Sequence, residues 1–440
     1  MPAFGGRLPR VAALCAQISI AGGASAQDVR PQPLLIRDVS VVDVERATVR
    51  PRQDIVVSDG RIVALGATGS VAEPRGARII DGSGSFAAPG LVDMHVHLSA
   101  GDLPLYLANG VTTVRVLNGS PEILVLRDEV RDGARPGPTI FTSGPLLAGA
   151  RQPWRHALVE DSVRALEIAR AQAEAGYDYL KVYDGLTGPA YRAIVEVGRE
   201  TGLPIVGHVP EAVGLDGVLA SGQASIEHVE QIVYATVGHD LDPDRIPGIA
   251  ARIAEAGTAV TPTIAAIEIL SRRATPWYDS LFSLPEMALA DPELHGWWAS
   301  LREGGPWPEE RREAFIQFHR DLTAALAEAG VPLLVGTDAS NPLLVPGYSL
   351  HRELAALERA GLPRAELLRA ATLGAARWLD PAAPGVLVPG APADILLLEG
   401  DPLSDLGHLR HVRGVVVRGE WLDEPDLESL RERVAATRRP

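Results

Sequence analysis

From Leu34 to Ile80, short β-rich runs (LLIRDVSVVDV, DIVVSDGRIVAL, ARIIDG) are separated by turn signals at Asp59-Gly60 and Asp81-Gly82. Apolar runs bounded by Asp-Gly pairs predict antiparallel strands. The same texture returns after Pro384 in GVLVPG, ADILLLEGDPL and HVRGVVVRGEWL, so the two chain ends are expected to complete one small β-sandwich. Between them short apolar strands alternate with longer stretches of helical period, the pattern of βα units around a parallel sheet. Eight such strands are expected: LVDMHVHL from Leu91, TTVRVL from Thr112, TIFTSGPLL from Thr139, YLKVYDG from Tyr179, PIVGHV from Pro204, SIEHVE from Ser225, AVTPTI from Ala259 and VPLLVGTDAS from Val331. Eight parallel strands close a barrel, so the predicted fold class is α/β, a (β/α)8 TIM-like barrel carrying a small β-sandwich.

This organisation places the sandwich over residues 27–86 and 381–424, the barrel over 87–380 and a fraying charged tail over 425–440. About 66 residues separate the seventh strand from the eighth, and four of the seven tryptophans (Trp277, Trp297, Trp298, Trp307) fall there. An insertion at that place can cover the barrel mouth, so residues 268–330 are expected to form a helical lid. Its tryptophans suit helix packing as well as contact with an apolar substrate.

Composition narrows the partners. At 440 residues, 46% hydrophobic and 22% charged, the chain has globular character. A formal net charge of -15 repels polyphosphates, and no basic, aromatic-interleaved patch is present, so a small uncharged or cationic molecule is expected rather than nucleic acid. No apolar run approaches the roughly 18 residues of a spanning helix, which argues against membrane insertion. Whether the chain forms a homo-oligomer is left open. Residues 1–26 put Arg7 and Arg10 before an apolar stretch ending in Ala24-Ser25-Ala26, the order of a secretory signal peptide. That reading predicts a periplasmic or secreted protein, with a cytoplasmic one as the alternative. Cys15 is the sole cysteine and would leave with the leader, so any metal must sit on nitrogen and oxygen.

The residues suited to chemistry fall at strand ends. His95 and His97 close the first strand and, two apart, point the same way. Lys181 lies in the fourth strand, His208 ends the fifth, His228 lies in the sixth and Asp338 ends the eighth. Barrel enzymes react at the C-terminal ends of their strands, where loops shape a pocket. Burying these groups together without cations would cost several kcal/mol per unpaired charge, which favours a metal site over a structural cluster.

These residues, with SGSFAAPGLVDMHVHL, DYLKVYDG, IVGHV, SIEHVE, LLVGTDAS, LHRELAALERAGL, LLRAATLGAA and PGAPADILLLEGDPL in that order, resemble the amidohydrolase superfamily, in particular its imidazolonepropionase-like and prolidase-like metal-dependent hydrolases. The resemblance runs over nearly the whole chain. It implies two divalent cations, expected to be Zn2+. His95, His97 and Asp338 would hold one, His208 and His228 the other, and a carbamate on Lys181 would bridge them. It also implies hydrolysis by a hydroxide formed between the cations, where the pKa of water falls from about 15.7 towards about 7. Asp338 would carry the proton from the nucleophile to the leaving nitrogen.

Four further residues have open roles. Tyr183 shares the face of Lys181 and could donate to an oxyanion or simply pack in the lumen. His351 begins a helix beyond Asp338, and Arg155 and His156 lie in the loop after the third strand; each could meet substrate or solvent. The expected reaction is cleavage of an amide, cyclic amide or N-acyl bond of a small molecule. The prolidase-like branch carries a tyrosine shortly after the fifth-strand histidine, whereas His208 is followed by Val209, Pro210 and Glu211, which argues against an Xaa-Pro dipeptidase. Dipeptidase, esterase and lactonase activities remain alternatives for the same metal pair, and a non-catalytic scaffold would typically lack the histidines.

Overall fold

In the computed structural model, residues 32–438 are described. The leader expected over residues 1–26 lies outside them. Strands β1 (Leu34–Asp43), β2 (Thr48–Ser58) and β3 (Arg61–Ala67) form an antiparallel meander. The β2–β3 turn is Asp59-Gly60, both at positive φ (50° and 73°), as a two-residue hairpin turn following the twist of its strands requires. β4 (Arg78–Asp81) and β5 (Phe86–Pro89) run parallel to β1.

The middle of the chain supplies β6 (Leu91–Val96), β7 (Val111–Val116), β8 (Thr139–Thr142), β9 (Leu146–Ala148), β10 (His156–Leu158), β11 (Leu180–Val182), β12 (Ile205–Gly207), β13 (Ser225–Glu227) and β14 (Ala259–Thr261). All pair in parallel, in two arcs. Two seams join the arcs into a ring. Ser143 bridges Tyr179 between β8 and β11, and the stretch 331–339 bridges β14 through Leu333 and Val260, then β6 through Ala339 and Val96. That stretch is the expected eighth stave, held by single bridges rather than a regular ladder. It approaches β6 closely at Gly336, where an added Cβ would lie 2.7 Å from the His95 amide nitrogen, so no side chain fits. The single strand expected over TIFTSGPLL is divided at Ser143-Gly144-Pro145, because proline cannot donate to a ladder. Its second half, β9, pairs with β11 and with β10, a strand not expected from the pattern.

After the barrel come β15 (Ile395–Leu398), β16 (Val412–Val417) and β17 (Glu420–Asp423). β15 pairs antiparallel with β5, from Ile395 opposite Pro89 to Leu398 opposite Phe86, so both chain ends share one eight-stranded sheet. The sheet curls on itself, since Ile62 N–H donates to Ala391 O and Ala393 N–H to Gly60 O. It encloses its own core of Ile36, Val39, Ile55, Ile62, Ile395, Val416 and Trp421. This is the small β unit expected beside the barrel, reaching to Pro89 rather than stopping at residue 86.

Two differences from expectation concern helices. Of residues 268–330, the helix Glu309–Glu328 packs against Ile246–Ala256 and belongs to the outer ring of the barrel. Only the shorter helices Ile264–Ser271 and Pro292–Ser300 reach the mouth, with Ala266, Ile267, Leu270, Leu294 and Trp297 in its wall. Trp298 is fully buried and Trp307 packs edge-on against Phe315, so these two serve packing. The tail expected to fray is instead the helix Glu424–Thr437, capped by Asp423 and docked on Leu103–Ala108 through Leu427, Leu430 and Val434. Apolar residues at a spacing of three and four, scattered among charges, make one buried stripe. Among the described residues no helix is long and apolar enough to cross a membrane.

Candidate active site

Five of the eight staves deliver the candidate polar side chains at or near their C-terminal ends. His95 and His97 come from β6 and the residue after it, Lys181 from β11, His208 and His228 from the residues following β12 and β13, and Asp338 from the eighth stave. All six line one cavity of about 920 Å³ at the barrel mouth. Gly207 brings β12 close to β11 beside His208: its φ is +131° and a Cβ would lie 2.1 Å from Val182 O. His228 (φ 68°), Thr263 (φ 53°) and Asp338 (φ 64°) hold left-handed backbone, a strain that concentrates at functional sites.

The side chains converge in two groups. Asp338 Oδ1 lies 2.8 Å from His97 Nε2 and 3.3 Å from His95 Nε2, and one donor atom from each of the three falls within 4.8 Å of the others. Across the cavity the His208 and His228 rings stand 5.2 Å apart, edge to face, and His228 is 4.7 Å from His95. The far nitrogens are occupied. His95 Nδ1 donates to Glu227 Oε2 at 3.1 Å and His208 Nδ1 to Asp184 Oδ1 at 2.9 Å, while His228 Nδ1 shares a hydrogen bond of 2.8 Å with Thr263 Oγ1. A carboxylate accepts only, so His95 and His208 carry their proton on Nδ1 and present a bare Nε2. Both of those buried Nε2 atoms lack a hydrogen-bond partner.

Burial and neighbouring charge set the protonation states. Burial foremost, then the charge of Lys181, brings His95 down to about 4, and burial likewise holds His208 and His228 below their ordinary value. Asp338 is pushed upward by burial, but the imidazoles of His228, His95 and His97 outweigh this and hold it far below the usual carboxylate range. Lys181 is 1% exposed and makes no ion pair among the described residues; burial lowers it to about 8, which raises the fraction of neutral amine.

The remaining sequence candidates divide. Tyr183 lines the cavity with its ring 4.1 Å from that of His208 and 6.2 Å from that of Trp154. Arg155 stands at the rim, exposed and paired with Glu122 at 3.3 Å. His156 and His351 do not line the cavity. His156 donates through Nδ1 to Trp154 O at 2.8 Å, and His351 is buried under the helix Tyr348–Arg359 rather than exposed on it, where burial drives it to about 4.

Sequence reasoning missed the groups beneath and beside the histidines. Fully buried Arg115 donates to both oxygens of Glu227, at 2.8 and 3.0 Å, and Glu227 in turn orients His95. Burial raises the Glu227 carboxyl, but Arg115 and then His95 hold it well below normal. Asp93 accepts from the Thr337 hydroxyl and amide, tying the first stave to the eighth. Glu230 lines the cavity two residues beyond His228, and burial together with the charges of Asp338 and Asp184 pushes it up to about 7. An arginine inside the apolar strand TTVRVL, and the two glutamates of SIEHVE, were the available signals.

Residues 86–422 match the model of the amidohydrolase family. The chain belongs to the amidohydrolase family. It is therefore an enzyme, a hydrolase acting on carbon–nitrogen bonds. Among solved structures, bottromycin amidohydrolase superposes on this amidohydrolase with a TM-score of 0.75 and 29% identity, over 93% of this chain and 91% of that one. A putative prolidase from Bifidobacterium longum does so at 0.68 and 23%, over 92% and 99%, a likeness of fold. An uncharacterized protein of Mycobacterium tuberculosis is 28% identical over 365 residues, 76% of this amidohydrolase and 85% of its relative. Members of the family typically bind divalent metals, and the His95, His97 and Asp338 group is suited to one.

Proposed function

We propose that this amidohydrolase cleaves an amide, cyclic amide or N-acyl bond of a small molecule, using two divalent cations, Zn2+ in the first instance, at the barrel mouth. The observation that carries the reading is the convergence of four histidines, Lys181 and Asp338 on one cavity, with the buried Nε2 atoms of His95 and His208 making no hydrogen bond. An orphaned buried nitrogen costs free energy unless something outside the protein meets it, and a nitrogen and carboxylate donor set suits zinc. His95, His97 and Asp338 would hold one cation and His208 and His228 the other. Lys181 would join them as a carbamate: its neutral amine adds to carbon dioxide and loses a proton, turning a repelling ammonium into a bridging anion. When bound, the cations acidify a water between them and polarise the scissile carbonyl.

The chain's own groups do the rest. Asp338 accepts the proton of the attacking water at its carboxylate and returns it to the departing nitrogen. Glu227 and Asp184 keep His95 and His208 in one tautomer. Tyr183, whose ring lies 4.1 Å from that of His208, would donate its hydroxyl to the developing oxyanion. The 29% identity to an amidohydrolase of bottromycin supports a carbon–nitrogen bond as the target. Screening zinc-loaded protein against N-acyl amino acids, cyclic imides, aryl amides, dipeptides, esters and lactones tests the reading. Turnover of a carbon–nitrogen substrate that chelation abolishes and zinc restores is the expected result. Turnover confined to esters or lactones would overturn it.

A further inference from the structure

The carboxylates around the cavity are nearly all accounted for. Glu122 pairs with Arg155, Glu129 with Arg135 and Asp102 with Arg438, while Asp291 caps the helix Pro292–Ser300 by accepting from Glu293 N–H. Asp338 is held by His97. Glu230 is different. It lines the same cavity, half-buried, yet among the described residues it has no hydrogen-bond or ion-pair partner. A carboxylate withdrawn from water without a partner is costly, and the cost is relieved when a cationic donor comes to it.

The surroundings say which kind of cation. Glu230 is not within the close His95, His97 and Asp338 group. The cavity wall also carries apolar and aromatic side chains: Ile123, Leu126, Ile267, Leu270, Leu294 and Trp297. Such a wall suits the body of an organic molecule rather than a hydrated inorganic ion. Two residues of chain span at most about 7 Å, so the Glu230 backbone lies within that distance of the His228 backbone.

We propose that Glu230 is the specificity-determining residue of this site, binding an ammonium group carried by the substrate within a few bonds of the scissile carbonyl. The substrate class is then an amide of an amino-bearing acyl group with an apolar body, such as an α- or β-aminoacyl amide. The amine donates to the Glu230 carboxylate while the apolar body lies against the Trp297 side of the wall, and no bond of the amine is made or broken. The inference rests on the hydrolase reading above, but part of its test does not.

Two measurements check it. The first is calorimetric binding of 2-phenylethylamine and its neutral analogue 2-phenylethanol to zinc-loaded wild-type protein and to Glu230→Gln. A charge-assisted hydrogen bond in a sheltered site separates such a pair by about tenfold to a hundredfold. Wild type is expected to prefer the amine to that extent and Glu230→Gln to bind both alike, with zinc content unchanged. Equal binding of the two by wild type, or a preference that survives in Glu230→Gln, would overturn the assignment. So would loss of zinc in Glu230→Gln, which would make Glu230 a partner of the metals instead. The second is the kcat/KM ratio for phenylalanine p-nitroanilide over 3-phenylpropionyl p-nitroanilide, expected to fall by about tenfold or more in the variant, mainly through KM. If neither anilide is turned over while the amine still binds selectively, the hydrolase reading is the one in difficulty, not the assignment of Glu230.

Discussion

Asp338 and Glu227 show how differently two buried carboxylates of one site can act. Asp338 faces the cavity and is the proposed proton carrier, so Asp338→Asn should keep the fold and part of its metal while kcat falls by about 10²–10⁴-fold. Rates normalised to metal content by elemental analysis separate this from simple metal loss, and a variant within tenfold of wild type would remove Asp338 from the proton path. Glu227 faces away, between Arg115 and His95. Glu227→Gln leaves a fully buried guanidinium without its counter-charge, so the folded state should lose about 3–5 kcal/mol in urea unfolding; a loss below about 1 kcal/mol would mean that Arg115 finds another partner. At this scale the sequence was legible where chemistry repeats along a strand. His95 and His97 two apart, or a histidine at a strand end, point to the mouth from pattern alone. Glu227, Asp184 and Thr263 were not legible as partners, because each meets its histidine across the barrel wall from another strand or loop, and His351 was misread because helical phase does not tell which face of the Tyr348–Arg359 helix is covered.

Among the elements, the helices Glu309–Glu328 and Glu424–Thr437 depart furthest from the sequence expectation, and each has a test. His319, in the middle of Glu309–Glu328, is fully buried, donates through Nδ1 to Phe315 O at 2.6 Å and is brought down to about 4 by burial. Its value in the unfolded chain is about 6.5, so the unfolded state takes up the proton first and stability falls as pH drops from 6.5 towards 4. Between pH 7 and pH 5 the wild type should therefore lose about 2 kcal/mol that His319→Met does not lose. Equal losses in urea titrations at the two pH values would contradict this. In the C-terminal helix Leu430 is buried with Leu427 and Val434, and Leu430→Ala should cost about 2–4 kcal/mol, a penalty no frayed tail would show. The strands were easier to read. Runs such as LVDMHVHL and SIEHVE sit between turns that end them, whereas an amphipathic stripe of three apolar residues in a charged segment looks like solvent-facing chain until its docking partner, Leu103–Ala108, is known. The eighth stave was legible as apolar sequence although its pairing is irregular, because Gly336 and the crowding at His95 are tertiary facts.

For the molecule as a whole, the barrel gathers residues from 95 to 338 at one mouth, and the sheet built from both chain ends closes through β5 and β15 without contributing a wall residue to the cavity. The site thus lies on the strand ends, while the small β unit rests on its own core. Overall architecture was the most legible level, because eight βα units between two β-rich ends admit few other arrangements. The central claim is that the six converging groups form one two-metal centre bridged by a carboxylated Lys181. Elemental analysis of wild type and Lys181→Ala, both prepared with zinc and bicarbonate, tests it most directly. The account predicts about two zinc ions per wild-type chain and fewer than about one in the folded variant, whose bridge is gone. Equal zinc content in the two proteins would contradict it.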